Sequence, residues 1–378
     1  MKKSVERLAL PAPMPGTRRE LTVHRYGRPG ARPRVYLQAG LHADEHPGML
    51  VLGHLLAMLD EGSDPIVGEI AIVPVANPVG LAQLVNGQLA GRFALAGGGN
   101  FNRNFPDLGE TVARAVRDRL TDDAEANAAL IRQAALHAVG ELPRESELNA
   151  LRAALLGLSL DADYVLDLHC DLEALVHLYA AGAHAETAAA LGAEIGAEVV
   201  LLEEGPGGQP FDEANAGLWP KLRGILGDDR VPLSCFAATV ELRGRGDVSD
   251  ALAAADAANL YRFLQRRGAI GGEPGSEPEP RCVPTPLSGT DVLRAPSAGL
   301  VLYRKALGDR VEAGETVAEL LDPTADAPLS APQPIVSRAN GVLFSTARRR
   351  VLAAGETVAK VAGAEPLPHR RGGSLLEA

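Results

Sequence analysis

The run Arg34-Val35-Tyr36-Leu37-Gln38-Ala39 is the segment that most limits what this chain can fold into. It reads as a strand, and it stops at Gly40. Beyond Pro47 comes an apolar stretch, Met49-Leu50-Val51-Leu52 through Leu55-Leu56 to Leu59, long enough for a buried helix with Pro47 in its first turn. A second strand, Glu69-Ile70-Ala71-Ile72-Val73-Pro74-Val75, follows an acidic turn. Strand, loop, helix and strand in that order begin an α/β sheet.

The rest of the chain continues the pattern. Residues 108–160 place apolar side chains at helical spacing, and Pro143 divides them into at least two helices. Tyr164-Val165-Leu166-Asp167-Leu168 reads as a strand ending at His169. Short apolar runs at 197–202 and 237–242 read as further strands, and an Ala-rich segment between Asp247 and Arg266 as a helix. Residues 268–290 change to glycine, proline and glutamate, the composition of a linker. Beyond it Ala298-Gly299-Leu300-Val301 leads to Val311-Glu312-Ala313-Gly314-Glu315-Thr316-Val317, and Asn340-Gly341-Val342-Leu343 leads to Val351-Leu352-Ala353-Ala354-Gly355-Glu356-Thr357-Val358. This internal repeat predicts a small two-fold β domain. The boundaries expected are a first domain over 1–267, a linker over 268–290, a β domain over 291–365 and a tail over 366–378.

Composition narrows the function. With 378 residues the chain is long enough for two cores. A formal net charge of −11 and only 4% aromatic residues argue against a nucleic-acid partner. No apolar stretch is long enough for a signal peptide or a membrane span, which points to a cytoplasmic protein. The three cysteines, Cys170, Cys235 and Cys282, follow no metal-ligand spacing and suit a reducing compartment. Cys170 reads as a small buried residue rather than a nucleophile.

Metal ligands need lone pairs held in fixed places, which strand ends and the loops beside them provide. His42 and Glu45 sit just after the first strand in Gly40-Leu41-His42-Ala43-Asp44-Glu45, and His169 ends another in Asp167-Leu168-His169. Two close ligands and a distant third are the usual arrangement of a catalytic zinc, one ion per chain, with a position left for water. His42 to His46 also spells H-x-x-E-H, the inverted zincin pattern. That pattern needs both histidines on one helical turn, and Gly40 and Pro47 put the helix start after His46 instead.

Four further residues complete a candidate site. In Asn100-Phe101-Asn102-Arg103-Asn104, after three glycines, Asn102 and Arg103 offer a fork of donors to a substrate carboxylate. Arg92 can polarise a carbonyl. The bland reading of either arginine is a surface salt bridge. Glu241 is a lone carboxylate in the apolar run 237–242 and suits proton transfer, with an ion pair to Arg243 or Arg245 as the alternative.

Taken together, H-x-x-E at His42–Glu45, the pair Asn102-Arg103, the histidine of Asp167-Leu168-His169 and the glutamate of Thr239-Val240-Glu241-Leu242 resemble the succinylglutamate desuccinylase/aspartoacylase family, relatives of the zinc carboxypeptidases. The resemblance spans roughly residues 20–265 and implies a carboxypeptidase-like α/β domain, a mixed sheet with helices on both faces. It implies zinc on His42, Glu45 and His169, Glu241 as acid/base, and Asn102 and Arg103 as the grip on a carboxylate-bearing small molecule. The reaction implied is hydrolysis of an N-acyl amino acid or similar amide; a zinc peptidase on small peptides and a silent binding protein are the alternatives. Where desuccinylases usually carry H-G-N-E, this chain has His42-Ala43-Asp44-Glu45, which keeps the ligands and leaves the substrate open. The C-terminal repeat resembles a biotinyl/lipoyl carrier. Its central stretch from Pro323 to Ser330 has no lysine, so the implied role is shaping the active-site mouth or pairing subunits into a homo-oligomer.

Overall fold

The computed structural model describes residues 3–203, 205, 207–330 and 332–370. The chain divides into two compact units. The first comprises Met1–His169, Gly208–Thr239 and Val248–Glu277; the second comprises Cys170–Gly207, Val240–Asp247 and Pro278–Ala378. Most of the tail expected over 366–378 lies outside the described residues.

The first unit is built on a mixed sheet. Its strands lie in the order Lys3–Leu10, Arg19–Gly27, Glu69–Val73, Arg34–Ala39, Tyr164–Asp171 and Phe236–Gly244, the last two running on past the unit's boundary. Lys3–Leu10 and Glu69–Val73 are each antiparallel to Arg19–Gly27, whereas Arg34–Ala39 is parallel to both of its neighbours. Glu69–Val73 ends where Pro74 removes a backbone donor.

Register decides what each face of the sheet carries. Tyr36 stands opposite Val165, and Gln38 opposite Asp167. Alternate residues of a strand share a face, so Tyr36, Gln38, Val165, Asp167 and His169 point to one side, and Leu37, Ala39, Leu166 and Leu168 to the other. The helix Pro47–Glu61 covers the second side. It comes so close that a Cβ on Gly48 would lie 2.8 Å from that of Leu168 and 3.0 Å from that of Ala39. The helix Asp250–Arg266, capped by the Ser249 hydroxyl on the Leu252 amide, packs beside it.

On the first side, Tyr36, Val165 and Ala237 join a core with the helices Gly109–Val116, Ala124–Gly140, Glu147–Ser159, Phe211–Ala216 and Leu218–Leu226. Trp219, Phe101, Phe105 and Phe211 are fully buried there. Each such side chain stabilises the fold by about 2–3 kcal/mol through burial. Helices on both faces of a mixed sheet are what the sequence predicts. Pro143 lies between two of them, as expected.

In the second unit the strands His177–Ala181, Val199–Glu203 and Thr285–Pro286 are parallel neighbours, with the helix Ala185–Ile195 connecting the first two. The repeat builds two small sheets around a shared apolar core of Val301, Val317, Leu343 and Val358 among others. Its halves exchange strands. Arg310–Val311 of the first half pairs with Gly341–Thr346 of the second, and Val351–Leu352 of the second pairs with Gly299–Tyr303 of the first. Sequence similarity between the halves thus appears as reciprocal pairing. Within residues 268–290 the chain makes an isolated bridge from Ile270 to Ile66 and forms the Thr285–Pro286 strand.

Buried in this unit is an ion pair. Lys360 donates to an Asp171 oxygen at 2.7 Å, and the Ser345 hydroxyl donates to the same oxygen at 2.8 Å. Burial pushes the Cys235 thiol of the first unit up to about 12. Among the described residues no helix is long and apolar enough to cross a membrane.

Candidate metal centre

The parallel strands Arg34–Ala39 and Tyr164–Asp171 bring two distant parts of the chain to one level, at the carboxyl ends where open α/β sheets place their ligands. From the first strand the chain turns through Leu41–Glu45 before entering the helix at Pro47. His46 is exposed at the N-cap position just before that helix, so it shares no helical turn with His42, and the inverted zincin arrangement is excluded.

The turn is held on several sides. The Asn77 side-chain amide donates to the Leu41 carbonyl at 2.8 Å, and the Ala43 amide donates to the Gly91 carbonyl at 3.0 Å. A Cβ on Gly91 would lie 2.6 Å from the Asp44 nitrogen, so only glycine permits this approach.

The outcome is a buried cluster of His42, Glu45 and His169, with one candidate ligand atom from each lying within 4.8 Å of the others. The Nδ1 of His42 is 3.0 Å from Glu45 Oε1, and the Nδ1 of His169 is 2.8 Å from Glu45 Oε2. The outer ring nitrogens are committed elsewhere. His42 Nε2 lies 2.7 Å from Asn100 Oδ1, and His169 Nε2 lies 2.9 Å from Asp167 Oδ2. An amide oxygen and a carboxylate only accept, so the Nε2 of each ring faces an acceptor for its proton. Each Nδ1 faces the Glu45 carboxylate, a gap that a ring proton or a metal cation among the three groups can fill.

Two imidazole nitrogens and one carboxylate suit a divalent transition metal. Acceptors on the outer nitrogens are the support that orients ligating histidines. The residues present therefore fit a metal ion.

Electrostatics agree with the geometry. Burial lowers the His42 pKa and outweighs the attraction of Glu45. At His169 burial opposes the charged form, but Asp167 and then Glu45 outweigh it and hold the pKa well above the usual value. Burial also opposes ionisation of Glu45, yet His42 and His169 hold its carboxyl well below the ordinary range. The cluster thus keeps an ionised carboxylate out of water.

Arg92 reaches the cluster, its Nη1 lying 3.0 Å from Glu45 Oε1 and 3.3 Å from His42 Nδ1. Asn102 is buried with its Nδ2 3.4 Å from His169 Nε2, while its Oδ1 accepts from the Phe211 amide at 2.8 Å. Arg103 is half-buried and donates from Nη1 to the Asn102 carbonyl at 2.7 Å. Glu241 lies in the second unit, half-buried in the Phe236–Gly244 strand.

The motif reading missed the supporting residues. Asp167 stands two positions before His169 on a strand, which is enough to put both side chains on one face. Gln38 is a lone amide in an apolar strand. It donates from Nε2 to Asp167 Oδ1 at 3.0 Å and accepts from the Tyr36 hydroxyl at 2.9 Å. Nothing local identifies Asn100 as the partner of His42, because 58 residues separate them.

The sequence pattern of the succinylglutamate desuccinylase/aspartoacylase catalytic domain matches residues 31–266. The chain belongs to this family. A succinylglutamate desuccinylase/aspartoacylase family protein from Shewanella amazonensis SB2B has 25% sequence identity and a TM-score of 0.83, covering 96% of this chain and 98% of its own. Another from Shewanella frigidimarina NCIMB 400 has 24% identity and a TM-score of 0.82, covering 96% and 97%. The product-bound ectoine utilization protein EutE (DoeB) of Ruegeria pomeroyi shares the fold at 19% identity and a TM-score of 0.67, covering 96% and 95%. No curated protein sequence matches the chain. Succinylglutamate desuccinylases and aspartoacylases are amide hydrolases, so the family places the buried His-Glu-His cluster in a hydrolytic setting.

Proposed function

We propose that this family member is a zinc-dependent hydrolase that cleaves the amide bond of an N-acyl amino acid or a related carboxylate-bearing amide. The observation that carries the reading is the cluster of His42, Glu45 and His169, with both outer ring nitrogens fixed by Asn100 and Asp167. When bound by these three residues, zinc supplies a Lewis acid for the carbonyl and lowers the pKa of water.

The chain's own groups supply the rest. Arg92, placed against Glu45, offers a positive charge to the developing oxyanion. Asn102 and Arg103 orient the substrate through its carboxylate. Glu241, assigned on its Thr239-Val240-Glu241-Leu242 motif, accepts the proton of the attacking water and passes it to the departing nitrogen.

The catalytic domain in this proposal spans residues 1–267 and is carboxypeptidase-like, followed by a lipoyl-like β domain over 291–365. The reciprocal strand exchange between the halves of the repeat supports the second assignment. With no lysine in the stretch from Pro323 to Ser330, we assign that domain no carrier role.

The test is hydrolysis of a panel of N-acyl amino acids by the zinc-loaded protein, followed by amine release. Activity that chelation abolishes, and that Glu241→Gln lowers by about 10²–10⁴-fold, is the expected result. Equal activity in the chelated protein, or no turnover across the panel, overturns the proposal.

A further inference from the structure

Large apolar side chains left in water are scattered over most of this chain, with one exception. Of the 14 exposed large hydrophobic residues among those described, five lie between Leu81 and Leu95. Leu84, Phe93 and Leu95 are 68%, 49% and 59% exposed. Single exposed apolar residues need no explanation, but a concentration of this kind marks a surface that binds something.

The segment is ordered by its own polar groups. The Gln83 side chain donates to the Ala90 carbonyl at 2.6 Å and the Phe93 carbonyl at 2.7 Å, and accepts from the Leu95 amide at 2.9 Å. It is also fastened to the candidate site through the bond from Ala43 to Gly91 and through Arg92 on Glu45. Register then places its aromatic ring. Phe93 stands directly opposite Asn100 in an antiparallel pair, so the two side chains share a face with their Cβ atoms about 5 Å apart. Asn100 is the residue that holds His42.

The cluster therefore has two differently furnished ends. Asn102 and Arg103 lie toward His169, and Arg92, Phe93 and Asn100 lie toward His42. A substrate whose carboxylate is taken at the His169 end presents the group across its amide bond to the His42 end. We infer that the segment Leu81–Leu95 is the wall of an acyl subsite, that Phe93 and Leu95 are its specificity-determining residues, and that the substrate is an N-acyl amino acid with an apolar acyl group. The inference rests on the hydrolase reading above and deepens it.

Zinc-loaded full-length protein, Phe93→Ala and Leu95→Ser are compared on N-acetyl, N-hexanoyl and N-octanoyl derivatives of aspartate, glutamate and alanine. Both residues are exposed. The expected result is a kcat/KM that rises about tenfold or more from acetyl to octanoyl in the wild type. In the variants that rise flattens. A flat wild-type series, or a rise that survives Phe93→Ala, overturns the inference.

Binding of acetate and octanoate by calorimetry separates this inference from the hydrolase reading. If no amide is cleaved, that reading fails on its own. A preference for octanoate that Phe93→Ala abolishes still supports the apolar subsite, and no preference overturns it. Sedimentation closes the remaining route: a wild-type dimer that Phe93→Ala dissociates assigns the patch to self-association and overturns the inference.

Discussion

Replacing Asp212 with asparagine is expected to stabilise the metal-free protein, by an amount that grows with pH. Asp212 is buried in the first turn of the Phe211–Ala216 helix, and its Oδ1 has no hydrogen-bond partner among the described residues. Burial and the nearby Asp167 carboxylate push its pKa from 3.8 up to about 6, outweighing hydrogen bonds from Thr239 and the Glu213 amide. The sign follows from proton counting. Between these values the folded chain holds a proton that the unfolded chain has released, so stability falls as pH rises through the window. Below it both states are protonated and the group costs nothing extra. Above it the folded state carries an ionised carboxylate at a cost of about 3 kcal/mol, at about 1.4 kcal/mol per pH unit. An asparagine at this position does not ionise and has no such cost. In urea unfolding with chelator present, Asp212→Asn should gain about 1.2 kcal/mol over wild type between pH 3.8 and pH 5, and about 2.6 kcal/mol between pH 3.8 and pH 8. A difference that does not change with pH, or one that shrinks as pH rises, refutes the reasoning.

Two other perturbations act on buried polar groups. Lys360→Met leaves the Asp171 carboxylate buried beside Ser345 with its cation removed and should cost about 3–5 kcal/mol. Adding Asp171→Leu should recover most of that in a double-mutant cycle read by urea midpoints, and additive losses contradict the account. In Asp167→Asn one of the two acceptor positions, for Gln38 Nε2 or His169 Nε2, becomes a donor. Zinc affinity measured by chelator competition should fall about 10–100-fold, and an unchanged affinity removes Asp167 from the metal site.

Much of the first unit was legible because its signals are local. The strand read at Arg34–Ala39 is the strand observed, and the helix expected after Pro47 runs from Pro47 to Glu61. The strand expected to end at His169 runs two residues further, to Asp171, where a buried lysine pairs with its last carboxylate. The three proposed ligands were legible because His42 and Glu45 lie in the turn that follows one strand and His169 lies near the end of its parallel neighbour. The partners of those ligands were harder to see. Asn100 meets His42 only through a two-residue ribbon formed by Phe93–Ala94 and Gly99–Asn100, too short for any periodicity to announce. The wiring from Tyr36 through Gln38 to Asp167 depends on parallel register between strands more than a hundred residues apart. Local pattern fixes which face a residue takes, but not which strand lies beside it.

The central claim is that His42, Glu45 and His169 hold a metal. Elemental mass spectrometry of the purified protein, wild type beside His169→Ala, tests it most directly. About one zinc per chain in the wild type and a loss of most of it in the variant is the predicted result. A wild-type protein that retains no metal after zinc is supplied and the excess removed contradicts the account.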